Sequence, residues 1–188
     1  MNITEEYNRW LQHTADNAAI HQELLAMQDD QKLLEDAFYC DLVFGTAGLR
    51  GVMGAGTNRM NSYIVARASQ GVANYLKQNH MQPAVVIGYD SRINSRSFAE
   101  ITAEVFAGNG IKVYLWPELM PVPTVSFATR HLKAAAGIML TASHNTTVIR
   151  YMAQMAARLP QKRQAVFLRK SISWIFLRMS NKKPLQLL

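Results

Sequence analysis

Apolar side chains recur along this chain in two rhythms. In residues 4–38, Tyr7, Trp10 and Leu11, then Leu24, Leu25, Leu33 and Leu34, fall at mixed helical spacing and predict helix. Residues 61–79 predict a second helical stretch, with Ile64, Ala68, Val72, Tyr75 and Leu76 on one side. Residues 84–89 are a short apolar run instead and predict a buried strand, and two further short stretches, residues 111–116 (apolar but for Lys112) and 135–140, predict the next strands. Ser97 with Glu100 has the form of a capping box, so a helix is expected to start there and to stop near Gly108-Asn109-Gly110. A further helix, about residues 125–132, leads into the last strand.

Strands that alternate with helices predict an α/β domain on a largely parallel sheet. Ligands of such sheets gather where the strands end at their carboxyl sides. Two polar groups stand there: Asp90-Ser91-Arg92 after the first strand, and Thr141-Ala142-Ser143-His144-Asn145 after the last. A Gly-rich stretch, Phe44-Gly45-Thr46-Ala47-Gly48-Leu49-Arg50-Gly51, joins the N-terminal helical region to the domain.

Composition changes the picture at one place. The 188 residues, 49% of them hydrophobic, suffice for one packed domain with room for an extension. The net charge of +7 ordinarily points to nucleic acid or an anionic membrane. Nine of the 20 lysines and arginines follow Asn145, however, while all 13 acidic residues precede it. The basicity belongs to the tail alone. The single cysteine, Cys40, excludes an intrachain disulfide and a thiolate metal cluster. No apolar run reaches the roughly 18 residues of a membrane span, and the N-terminus, with Glu5 and Glu6, is unlike a signal peptide, so a cytoplasmic protein is expected.

Three groups carry candidate chemistry. Ser143 follows an apolar strand, which would hold its hydroxyl on a rigid element as a nucleophile or phosphoryl carrier. His144 is its immediate neighbour, and adjacent side chains on extended backbone diverge, which argues against a Ser-His triad within the run. A Ser/Thr/Asn turn capping the next helix fits the same residues equally well. Arg50 lies among glycines whose amides can approach an anion closely, and its guanidinium suits phosphate. The spacing is neither a Walker loop nor a dinucleotide fingerprint, and a solvated arginine in a turn is the competing reading. Asp90 and Arg92 either position a ligand or pin their loop, with pinning the simpler account. The five histidines lack ligand spacing.

Taken together, the stretches at residues 44–51, 88–92 and 141–145 closely resemble the N-terminal domain of the α-phosphohexomutases, the phosphoglucomutases and phosphomannomutases. The resemblance implies a three-layer α/β/α domain with a mostly parallel mixed sheet over residues 41–145. A helical extension (residues 1–40) would precede it and an irregular basic tail (residues 146–188) follow. It implies that Ser143 is the phosphoserine, with His144 in the same loop and Arg50 as catalytic partners. Thr46, Gly48, Asn145 and Arg92 are implied to bind phosphate or substrate. Magnesium is the implied cofactor, bound to Ser143 through its phosphate, with the remaining ligands absent from this sequence. The implied substrates are hexose phosphates and bisphosphates, with no nucleic acid or membrane partner and no indication of oligomeric state.

The sequence departs from the family pattern directly after Asn145. The family continues with Pro and then an Asn-Gly-aromatic-Lys stretch; here Thr146-Thr147-Val148-Ile149-Arg150 follows. Codons for residues 146–156, read one base earlier, admit Tyr-Asn-Gly-Tyr-Lys-Val-Tyr-Gly-Pro-Asp-Gly. Each Met-Ala pair (Met152-Ala153, Met155-Ala156) forces a glycine in that frame. The expectation is a frameshifted translation beginning where the charge balance breaks. The aromatics Phe167, Trp174 and Phe176 among the basic residues imitate a nucleic-acid surface, but a shifted frame explains them without selection for binding.

Overall fold

The computed structural model describes residues 2–45, 48–143 and 146–152, with 142–143 and 146–152 described as backbone. Six helices and six strands are formed among them. The N-terminal region is three helices rather than one run: α1 (Ile3–His13), α2 (Ala18–Ala26) and α3 (Gln31–Phe38). Asn2, Asn17 and Asp30 each cap a new start, their side chains accepting from backbone N–H groups of the first turn. Period alone does not reveal such breaks.

Strands β1 (Phe44–Gly45) and β2 (Gly48–Gly51) form the Gly-rich hairpin. Helix α4 (Ser62–Asn79) starts on Asn61, whose side chain accepts from the Ile64 N–H at 3.0 Å. Then come β3 (Ala84–Tyr89), α5 (Ser95–Gly108), β4 (Lys112–Leu115), α6 (Val122–His131), β5 (Ala136–Ser143) and β6 (Thr146–Met152). Two of the expected starts shift. Helix α5 begins at Ser95, not Ser97, because Asn94 turns the chain in the left-handed region (φ 65°) without a side-chain cap. Helix α6 begins at Val122 beside Pro121 and Pro123, whose fixed φ suits a first turn.

The sheet order is β1-β2-β6-β5-β3-β4. Strands β4, β3 and β5 are mutually parallel, whereas β6 runs antiparallel to both β5 and β2. Helices cover both faces. Val85, Ile87, Ile138 and Leu140 face the larger core with α1–α5, while Val86 and Met139 face Val125 and Ala128 of α6. This is the three-layer α/β/α arrangement with a mixed sheet.

The N-terminal helices share the larger core. Trp10 packs edge-on against Phe38 (5.8 Å between centroids) and Tyr63 of α4 (5.5 Å), and Tyr7 against Phe38 (6.0 Å). Glu23 on α2 accepts from the Ala55 N–H at 2.7 Å, and Arg59 pairs with Asp36. Gly56, with φ +121°, passes so close to α3 that a Cβ there would stand 2.5 Å from the Ala37 carbonyl oxygen.

The sheet also extends past the expected boundary at Asn145. Thr146–Met152 form β6, an interior strand between β2 and β5, where an irregular tail is expected from the sequence. The β-branched run Thr146-Thr147-Val148-Ile149 explains this, since such side chains favour a pleated surface whatever their origin. The rest of the tail, including Phe167, Trp174 and Phe176, lies outside the described residues.

Candidate active site

Parallel pairing brings the carboxyl ends of β3 and β5 to one edge of the domain, because Tyr89 pairs with Leu140. Asp90 follows Tyr89, and its N–H donates to the Leu140 carbonyl at 3.1 Å. Both of its carboxylate oxygens accept hydrogen bonds. One oxygen accepts from the Arg92 N–H (3.1 Å) and the Ser95 hydroxyl (2.9 Å); the other accepts from the Thr141 hydroxyl at 2.6 Å. Ser95 is completely buried at the start of α5, so one carboxylate ties β3, α5 and β5 together.

The last strand is longer than the apolar run alone predicts. It continues through Thr141, Ala142 and Ser143, so Ser143 stands on the strand rather than in a turn beyond it. Antiparallel register then places the Gly-rich hairpin. Thr141 pairs with Val148 of β6, and Val148 pairs with Arg50 of β2. Thr141 and Arg50 occupy one row across the sheet, two strand spacings or about 10 Å apart. Ser143 lies two residues further along β5 and pairs with Thr146.

Other expected site residues fall as follows. Arg50 and Arg92 are exposed, and Gly48 has φ +118°, a conformation that favours glycine. The Asp90–Arg92 relation is a backbone contact, which supports pinning of the loop rather than a side-chain pair. Arg96, one turn on, is engaged by Glu100, whose hydrogen bond at 3.0 Å raises the guanidinium pKa above its ordinary value. Thr46, His144 and Asn145 lie outside the described residues.

Two side-chain contacts that sequence reasoning did not reveal lie beside these residues. Thr141 is the partner of Asp90 across 51 positions of sequence, which no local pattern reveals. Arg67 on α4 is almost fully buried and pairs with Asp41 at 3.0 Å, just ahead of β1. Its Nε and Nη2 have no hydrogen-bond partner among the described residues.

A magnesium ion takes six oxygen ligands in near-octahedral geometry. Among the described residues no group of three or more His, Cys, Asp or Glu comes together, and both Asp90 oxygens are already accepting. The described residues therefore do not fit a complete magnesium site.

The family described as phosphoglucomutase/phosphomannomutase, α/β/α domain I, matches residues 41–157. The chain belongs to this family. The match runs past Asn145 into β6 and beyond. A phosphoglucomutase of Staphylococcus haemolyticus is 48% identical over 111 residues, covering 59% of this chain and 20% of its own length. A human phosphopentomutase is 37% identical over 151 residues, covering 76% of this chain and 24% of its own. A solved Thermus thermophilus protein assigned as a phosphomannomutase superposes with TM-score 0.59 at 31% identity, covering 69% of this chain and 30% of that one. The chain thus spans about a fifth to a quarter of the length of these curated mutases.

Proposed function

We propose that this chain is the first domain of a phosphosugar mutase and that Ser143 is its phosphoryl carrier. The observation that carries the reading is the Thr141-Ala142-Ser143-His144-Asn145 run at the carboxyl end of β5, in a chain of this family. In the family reaction the phosphoserine gives its phosphoryl group to a hydroxyl of a hexose 1- or 6-phosphate. The P–O bond to serine breaks as the bond to the sugar oxygen forms, and the proton of that hydroxyl is balanced by one taken up at the freed serine oxygen. The resulting bisphosphate turns over in the site and returns its other phosphoryl group to the serine. Little covalent work falls on the protein, so positioning and charge stabilisation dominate.

The roles follow on this reading. Arg50, brought to the Thr141 row by β6, binds phosphate oxygens. Thr46 and Gly48 belong to the facing loop, His144 and Asn145 to the carrier's own loop, and Arg92 to the phosphate-binding rim. Hexose phosphates are the proposed ligands. Relatives named for pentose and ribose phosphates share this domain, so the residues that select the sugar are proposed to lie elsewhere.

By itself the chain is proposed to bind phosphosugar without turning it over, because residues 146–188 are read as an out-of-frame translation in place of the continuation that the family has after Asn145. The β-branched run Thr146-Thr147-Val148-Ile149 accounts for a strand in the sheet whatever the origin of the segment. Titration with inorganic phosphate, followed at backbone amide resonances, tests the site. The amides of Gly48–Gly51 and of Ser143 are expected to shift together, and Arg50→Ala is expected to weaken binding by about tenfold. Shifts at neither stretch would remove the reading. For the frame, no mutase-like neighbouring reading downstream of the Asn145 codon in the gene would remove that proposal.

A further inference from the structure

We infer that Asp90 is a positioning residue for Ser143, acting through Thr141. The inference rests on the reading of Ser143 as phosphoryl carrier and adds how the strand that bears it is held. Asp90 grips β5 twice at adjacent residues: its N–H donates to the Leu140 carbonyl (3.1 Å) and its carboxylate accepts from the Thr141 hydroxyl (2.6 Å). The second is the shorter bond, as O–H···O bonds ordinarily are beside N–H···O bonds.

The carboxylate is itself immobilised. The buried Ser95 hydroxyl and the Arg92 N–H both donate to its other oxygen, and Ser95 is the first residue of α5. The chain Ser95–Asp90–Thr141 therefore transmits the position of α5 to the end of β5, two residues short of Ser143. On the far side Thr141 pairs with Val148, in the row that ends at Arg50. The end of β5 is fixed from both flanks, by a carboxylate on one side and a strand on the other. Transfer to or from a serine tolerates little misplacement, since a shift of about 1 Å can cost on the order of a hundredfold in rate.

Asp90→Asn, Thr141→Val and Thr141→Ser are compared with the unaltered chain by amide hydrogen exchange and by titration with inorganic phosphate. Asp90→Asn and Thr141→Val are expected to speed exchange at Ala142 and Ser143 by about tenfold while leaving Val85, Val86 and Ile87 unchanged. Thr141→Ser, which keeps the hydroxyl, is expected to behave as the unaltered chain. In the titration, Asp90→Asn is expected to diminish the response of the Ser143 amide and preserve that of Gly48–Gly51. A uniform rise in exchange across the core, or no local change, overturns the positioning role. An unaltered chain whose Ser143 amide ignores phosphate counts against the carrier reading instead, and the exchange comparison still decides what Asp90 does.

Discussion

At the scale of single residues, the most constrained positions are those where one side chain answers to several elements. Asp90 satisfies three donors with two oxygens, and no hydrophobic contact could replace that geometry. Gly56 is constrained by space: φ +121° and the Ala37 carbonyl both exclude a side chain. Gly56→Ala is expected to cost roughly 2 kcal/mol or more, measured by urea denaturation. Tyr63 is constrained by burial, which raises its pKa above the ordinary value of 10.0, with the charge of Asp16 adding to the effect and a hydrogen bond from Asn17 opposing it. A raised folded-state pKa leaves stability intact below the unfolded value and removes it as pH rises through the folded one. Denaturation midpoints should therefore be insensitive to Tyr63 below about pH 10 and fall above it, with a smaller fall in Tyr63→Phe.

Such residues were unequally legible. Ser143 stands out in the sequence because an apolar strand ends in a polar run, a local pattern. Asp90 stands out only as a loop residue, because its partner Thr141 lies 51 positions away and the pairing exists only after β3 and β5 align. Arg67 gives no sequence signal at all: a lone arginine on a helix reads as a solvated side chain, yet it is buried against Asp41.

At the scale of elements, two segments outside the expected domain prove integral to it. Trp10 of α1 sits between Phe38 and Tyr63 and is nearly inaccessible, so α1 and α3 are docked through an aromatic cluster. Trp10→Ala should cost about 3–5 kcal/mol, enough to lower the thermal midpoint by many degrees in a calorimetric scan. Strand β6 matters differently. It is interior, and without it the β1–β2 hairpin has no strand to pair with and β5 gains an open edge. A chain ending at Asn145 is expected to lose cooperative unfolding and to bind a hydrophobic dye, whereas one ending at residue 152 should keep a cooperative transition. Equal behaviour of the two would show that β6 contributes nothing. The helical start at Asn61 was legible in the sequence, whereas those at Asn17 and Asp30 were not, because the apolar period over residues 4–38 runs on across them. Nor was the place of β6, because a β-branched run declares a strand without declaring its neighbours.

At the scale of the whole molecule, the chain presents apolar surface beside its candidate site. Val43 (72% exposed) precedes β1, Val52 (55%) follows β2, and Ile93 (86%) lies in the loop after Asp90. No helix of the described residues is long and apolar enough to cross a membrane. The excess basic charge falls after Asn145, so any binding to DNA should be weak, steeply salt-dependent and abolished by ending the chain at residue 152. In a coupled assay with glucose 1-phosphate, its bisphosphate and Mg²⁺, no turnover is expected from this chain alone, since positioning catalysis needs groups beyond its own. Measurable turnover would overturn the proposal of inactivity.

The sequence by itself determined the family, the alternation of helices and strands, and the strand that leads to Ser143. All of these are written in short-range patterns of period, capping and motif. Only the tertiary structure decided that Asp90 holds Thr141, that the N-terminal helices enter the core, and that β6 joins the Arg50 hairpin to the Ser143 strand. These are long-range pairings, fixed by sheet register and by the burial of whole faces, and no window of sequence contains both partners.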